Sequence, residues 1–251
     1  MSLRFDDDWR EDRTLEDGAR IRLRLLRPDD RQRVADGFAS LSPESRFMRC
    51  LRARNDLSPA ELHFMTDCDG EDHLAIAVVA IDEQGVEGGN VGLARFVRCI
   101  DDPEAAEIAI TVMDDWQGRG IGALLLRRLL AAMGERGYRE ARGVMHPDNT
   151  GMRRLVDDAG PDTRRVAEDG LIGFAIPVPA PTPFPLKLPE DPGQALARML
   201  RIARAGVFTL PRSYPLAVAE RLLDDWRTHL EAFRERFGSA GPEDLPADKI
   251  D

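Results

Sequence analysis

"AAEIAITVMDDWQGRGIGALLL", residues 105–126, is the stretch from which the fold is read. Its first eight residues alternate, so Glu107, Ala109 and Thr111 fall on one face of a strand and Ile108, Ile110 and Val112 on the other. From Ile121 to about Glu135 the sequence is strongly helical. Between strand and helix, QGRGIG at 117–122 admits three readings: a plain turn, a dinucleotide-binding turn, or a pyrophosphate-binding loop of another kind. Gly118, Gly120 and Ala123 satisfy the dinucleotide pattern G-x-G-x-x-[G/A], but that pattern also wants an acidic residue at the end of the following strand. Glu140 has the spacing and stands at that strand's start. A lysine-bearing phosphate loop is excluded, since no lysine precedes Lys187. The third reading has its own physics: a helix N-terminus exposes unpaired N–H groups and a partial positive charge, and glycines let the backbone approach an anion. Gln117, Gly118, Arg119, Gly120, Ile121 and Gly122 would supply the amides, with the Arg119 side chain as a cationic supplement.

Working outward, ARIRLRLLR at 19–27 alternates as a half-buried strand. Pro28, Asp29 and Asp30 open a helix through about Leu41, with acids where the helix dipole favours them. LSPAELHFM at 57–65 predicts a second helix, with Ser58 as N-cap, Pro59 at its first position and Glu61 at its third. HLAIAVVAID at 73–82 and NVGLARFVRCI at 90–100 read as a hairpin across the turn-rich EQGVEGG. After the central helix, Gly137 stands where a helix C-terminus wants glycine. EARGVMH predicts the next strand, NTGMRRLVDDAG a helix capped by Asn149, and LIGFAIPV a closing strand. Strands first, then strands alternating with helices, give a layered α/β (α+β) fold.

The chain has 251 residues and can bury a full core without cross-links. Cys50, Cys68 and Cys99, odd in number and widely spaced, argue against a disulfide framework and for a reducing cytoplasm. No apolar run of membrane-spanning length occurs and the acidic N-terminus lacks the pattern of a signal peptide, so no membrane partner is expected. A net charge of −10 without a basic stripe argues against nucleic acid. Residues 1–18 read as a flexible acidic arm and 19–176 as the main domain. Residues 177–192 carry seven prolines and read as a semi-rigid linker. Residues 193–251 predict a helical extension whose Leu222, Trp226, Leu230 and Phe233 stripe needs a docking surface, on its own domain or in a homodimer. His63, Cys68 and His73 have spacings a zinc site could use, but no fourth ligand is evident and no metal is expected.

The Q-G-R-G-I-G loop, with a strand before it and ALLLRRLL behind it, resembles the acetyl-CoA loop of the GNAT superfamily, whose pattern is Q/R-x-x-G-x-G/A. The resemblance covers about residues 20–176, including RPDD at the first helix and HPDNTGMRRLVDDAG at the last. LSPESRFMR at 41–49, DCDGEDHLAIAV at 67–78 and the stretch at 105–126 are similar to bacterial protein lysine acetyltransferases that modify acyl-CoA synthetases. It implies a central mixed, mostly antiparallel sheet with a splayed strand pair and flanking helices, acetyl-CoA as cosubstrate, and an amine acceptor, a protein lysine. It also implies that Val112 and Met113 meet the pantetheine, that residues 117–122 hold the pyrophosphate, and that Asn149 contacts the cofactor. A carboxylate in mid-strand is costly to bury without a task or a partner, and the resemblance makes Glu107 the general base. The tyrosine that usually protonates the departing thiolate would fall at Val156, which leaves the acid unidentified; Tyr138 is out of register. Two further readings stay open: acetylation of a small amine or amino acid, and a non-enzymatic acyl-CoA-sensing module.

Overall fold

The computed structural model describes residues 3–179. The chain from 180 onward, with most of the expected linker, the helical extension and the homodimer expected through it, lies outside the described residues. Eight strands form one sheet: β1 (Arg10–Thr14), β2 (Arg20–Leu25), β3 (His73–Ile81), β4 (Glu87–Arg98), β5 (Ala105–Val112), β6 (Glu140–Met145), β7 (Arg164–Glu168) and β8 (Leu171–Pro177). Their order is β1-β2-β3-β4-β5-β6-β8-β7. Neighbours are antiparallel except β5 and β6, which run parallel. Parallel strands cannot be joined by a tight hairpin, and the chain crosses between them through α4 (Ile121–Glu135). The remaining helices are α1 (Arg31–Ser40), α2 (Pro43–Cys50), α3 (Pro59–Thr66) and α5 (Thr150–Asp157).

Alternation along the strands sorts the core into two layers. Leu74, Ile76 and Val78 of β3 join Ala94, Phe96 and Ile108 in one cluster with Leu125, Leu129 and Met133 of α4. Ala75 and Ala77, one residue out of phase, face Val34 of α1 and Met65 of α3. The small side chains on that second face let α1 and α3 lie close to the sheet. A buried ion network fixes α1: Arg24 of β2 grips both Asp30 oxygens at 2.7 Å and Glu87 of β4 at 2.9 Å. Ser58 and Glu61 form the expected capping box on α3, and Gly137 has φ +79° after α4.

The first strand corrects the expected loose arm. Phe5 and Trp9 are buried with ring centroids 4.6 Å apart, and Arg10–Thr14 pairs with β2. Glu11 accepts two 2.7 Å bonds from Arg128 of α4, which holds its carboxyl down at about 2, and Glu135 accepts from the Arg4 and Phe5 amides. The free edge of β2 offers backbone partners that a charged composition does not register. The folded unit therefore begins before residue 19.

Candidate active site

β5 and β6 separate. They pair at only three positions, Ala105 with Glu140, Ala106 with Ala141 and Glu107 with Arg142. β5 stays paired to β4 through Val112, and β6 to β8 through Met145. From Ile108 to Val112 the β5 edge therefore faces a wedge, and an extended ligand can satisfy such a strand edge as a further strand would.

The glycine loop closes the mouth of this wedge. Gly118 and Gly120 have φ of +75° and +77°, the left-handed region that glycine enters freely, and Gly120 is the N-cap of α4. A Cβ placed on either would meet nothing within 4 Å, so the glycines are set by backbone angle and the space above them is open. The Leu124 amide donates to the Gly120 carbonyl at 3.0 Å, leaving the amides of Ile121, Gly122 and Ala123 as the open donors of the helix start. Gly122 differs: a Cβ there would come within 3.2 Å of Leu155, so it also lets α4 and α5 approach. These features fit a pyrophosphate.

Other expected contacts are placed as follows. Val112 ends β5, and its carbonyl accepts from Gln117 Nε2 at 3.2 Å. The Met113 amide donates to the Val91 carbonyl at 2.9 Å, and its residue lines the cleft described below. Asn149 caps α5 as expected, accepting from the Met152 amide at 2.9 Å. Arg119 requires a correction: its guanidinium donates to Asp17 at 2.8 Å and to the Asp115 carbonyl at 2.7 Å, and it stacks 4.8 Å from the Trp116 ring centroid. In this structure its side chain is committed locally and is no free supplement to the loop.

On the α1–α3 face a cleft of about 680 Å³, counted with its open mouth, runs between Phe38, Arg49, Cys50, Met65, Thr111 and Met113. Thr111 shares this face with Glu107. Glu107 lies opposite Val97 in the ladder and so on the same side as Arg95. Burial pushes the Glu107 carboxyl up to about 8, against the pull of Arg95 and Arg49. Arg95 is itself buried, 5.3 Å from the Phe64 ring centroid. A half-buried carboxyl titrating near neutrality beside a cleft is equipped to take a proton from an ammonium.

Several other groups singled out in the sequence have local partners. His73 stacks on Phe64 at 4.6 Å with Cys68 Sγ 3.6 Å from its Nε2. Among the described residues no three His, Cys, Asp or Glu side chains are grouped to hold a metal. Tyr138 is buried and donates to the Glu71 carbonyl at 3.1 Å, and Val156 is fully buried. Asp101, Asp102 and Glu140 gather around Arg142, which neutralises the acidic turn before β5.

The GNAT acetyltransferase domain model matches residues 20–161, more than half of the chain. The chain belongs to the GNAT acetyltransferase family. Its enzyme class is accordingly that of an acyl-CoA-dependent acetyltransferase. This GNAT chain is 35% identical over 149 residues to an acetyltransferase of Pseudomonas aeruginosa, covering 59% of this chain and 77% of the relative. It is 31% identical over 182 residues to the acetyltransferase Pat of Mycolicibacterium smegmatis, covering 71% of this chain and 53% of Pat, so it spans about half of that relative. The crystal structure of the GNAT domain of S. lividans PAT superposes with a TM-score of 0.62 at 28% identity, over 69% of this chain and 99% of that one. Among the described residues no helix is long and apolar enough to cross a membrane.

Arg49 and Arg95 escaped the sequence reading. Arg95 carried a usable signal, a charge at the centre of the alternating Leu93, Arg95, Val97 face, the same pattern that exposed Glu107. Arg49 carried a weaker one, the Ser42–Pro43 start of its helix, which repeats the Ser58–Pro59 start of α3.

Proposed function

We propose that this protein transfers the acetyl group of acetyl-CoA to a primary amine, the ε-amine of a protein lysine. The observation that carries the reading is Glu107: a carboxyl raised to about 8, on the face of β5 that borders the cleft, while the edge of the same strand opens toward the glycine loop. In this reading Val112, at the open edge of β5, and Met113 meet the pantetheine, Gln117–Gly122 hold the pyrophosphate through backbone amides, and Asn149 flanks the cofactor. Glu107 takes a proton from the acceptor ammonium. The freed amine attacks the thioester carbon, the carbon–sulfur bond breaks, and the thiolate leaves with the electron pair. Tyr138 is committed to the Glu71 carbonyl and Val156 has no dissociable proton, so in this reading the second proton of the amine nitrogen reaches the thiolate through solvent. The similarity of residues 41–49, 67–78 and 105–126 to bacterial protein lysine acetyltransferases supports a protein acceptor. Acetylation of a small amine or amino acid is the second reading.

Incubation with labelled acetyl-CoA and a host lysate, followed by mass spectrometry, tests the proposal. Label on lysines of discrete proteins is the expected result. Label confined to small amines from a parallel panel would replace the lysine assignment with the second reading.

A further inference from the structure

α2 is weakly held for an element that borders the cleft. None of its eight residues is fully buried, five are half-buried, and a helix of that length has little stability of its own in water. Its position is set at its ends. At its start the Asp114 carboxylate accepts from the Ser42 amide at 2.8 Å, from Ser42 Oγ at 3.2 Å and from Ser45 Oγ at 2.5 Å. A negative charge there also suits the helix dipole. Gln117 Nε2 lies 3.4 Å from Ser45 Oγ, 3.4 Å from Asp114 Oδ1 and 3.2 Å from the Val112 carbonyl. One hub therefore touches the end of β5, the glycine loop and the first turn of α2. The other end of α2 carries Arg49 and Cys50 into the cleft, and Phe47 meets the edge of His146, beyond the end of β6, at 5.6 Å.

We propose that Asp114 is a positioning residue that ties α2 to the glycine loop, so that acetyl-CoA binding and the placement of α2 at the acceptor cleft are coupled. This rests on the reading of the loop as the acetyl-CoA site and the cleft as the acceptor site. Whatever orders residues 112–117 orders Ser42 and Ser45, and through them the helix that presents Arg49. By linkage the effect is reciprocal, an ordered α2 favouring the cofactor by the same factor. The tie also reaches Glu107, which is faced by Arg49 from α2, Arg95 from β4 and Cys99 just beyond β4, while Arg142 on β6 is held by Asp101, Asp102 and Glu140. Releasing α2 withdraws one of the two cations that favour the ionised Glu107.

Hydrogen–deuterium exchange of the full chain with and without acetyl-CoA tests this, using wild type, Asp114→Ala and, from the helix side of the same contact, Ser45→Ala. In wild type, acetyl-CoA is expected to slow exchange at 117–124 and at 42–50 together, the latter by about tenfold, within the usual range of coupling between sites. In both variants protection at 117–124 should persist while protection at 42–50 is lost. The pH at which labelled acetyl transfer into lysate protein reaches half its maximum should rise in both variants. A purely structural contact would leave that pH in place. Wild type protected at 117–124 but not at 42–50, or variants that keep both the protection and the wild-type pH dependence, would overturn the tie alone. Absence of protection at 117–124 in wild type would overturn the acetyl-CoA reading with it.

Discussion

On the α4 face of the sheet, Leu125, Leu129 and Met133 pack into one apolar cluster with Ile76, Ala94 and Phe96. On the opposite face, α1 and α3 cover the small Ala75 and Ala77 but share the surface with His73, Arg95 and Glu107. The first face is held by burial, which is non-directional and tolerant of detail. The second is held partly by charges whose solvation has been taken away, so each depends on its neighbours. Backbone atoms build the candidate cofactor site between β5 and β6, whereas side chains from α2, β4 and β5 build the candidate acceptor site. The two halves of the reaction should therefore fail in different ways.

The largest expected effect is at Glu107. Glu107→Gln should leave acetyl-CoA affinity intact and lower turnover about 10²- to 10⁴-fold, the usual cost of removing a general base. Steady-state rates and calorimetric titration of the same preparation check both halves of that statement. On the α4 face, Leu129→Ala removes a fully buried side chain and should cost about 2 to 5 kcal/mol in denaturant-induced unfolding. Residual folded protein should still bind acetyl-CoA.

A smaller effect separates the faces by pH. The Glu107 carboxyl is raised from 4.5 to about 8, so between these values the folded state holds a proton that the unfolded state has released. Stability contributed at low pH is thus lost as pH rises through this window. Glu107→Gln should gain in unfolding midpoint relative to wild type across the same interval, measured at fixed ionic strength. Wild-type turnover should climb through the window and level off above about pH 8 as the base ionises.

Gly120→Val forces a branched side chain to φ +77°, at a backbone cost of roughly 1 to 2 kcal/mol, and fills the space over the loop. Acetyl-CoA affinity should fall while the sheet stays folded, which titration and circular dichroism together report. Arg119→Gln is expected to matter least. Its ion pair with Asp17 is exposed and worth about 0 to 1 kcal/mol, so stability and acetyl-CoA affinity should both change little. A large loss of affinity would show that the guanidinium leaves Asp17 to meet the phosphates.

The legible parts of the sequence were those with a period or a cap. β2 and β5 announce themselves by alternation, β3 by a continuous apolar run, α4 by helical spacing and α3 by its capping box. The glycine loop was legible because positive φ and open amides demand particular residues in a particular order. Two strands gave no such signal, while α2 carried one in its Ser42–Pro43 start, the counterpart of Ser58–Pro59 in α3. β1 reads REDRT and β7 reads RRVAE, almost wholly exposed on both faces, so neither shows the alternation of a half-buried strand. α2 has no fully buried residue, and its start is tied to Asp114, far away in sequence. Glu107 could be singled out as a charge in mid-strand. Its pKa is raised by burial and held back by two arginines brought from other elements, which only the folded chain shows.

Those two illegible strands have a consequence for how the molecule behaves in a crowd. They are the outer members of the eight-stranded sheet, five residues each, and each carries mostly charged side chains. An open sheet invites another chain to add itself along its margin, and the invitation grows with the length and greasiness of the last strand. Here a newcomer on the β1 side would have to lie against Arg10, Glu11, Asp12 and Arg13, of which Glu11 and Asp12 are already engaged by Arg128 and Arg22. Charge and brevity at the margins thus discourage polymerisation, and the same composition that hides these strands from a pattern reader keeps them from templating fibrils.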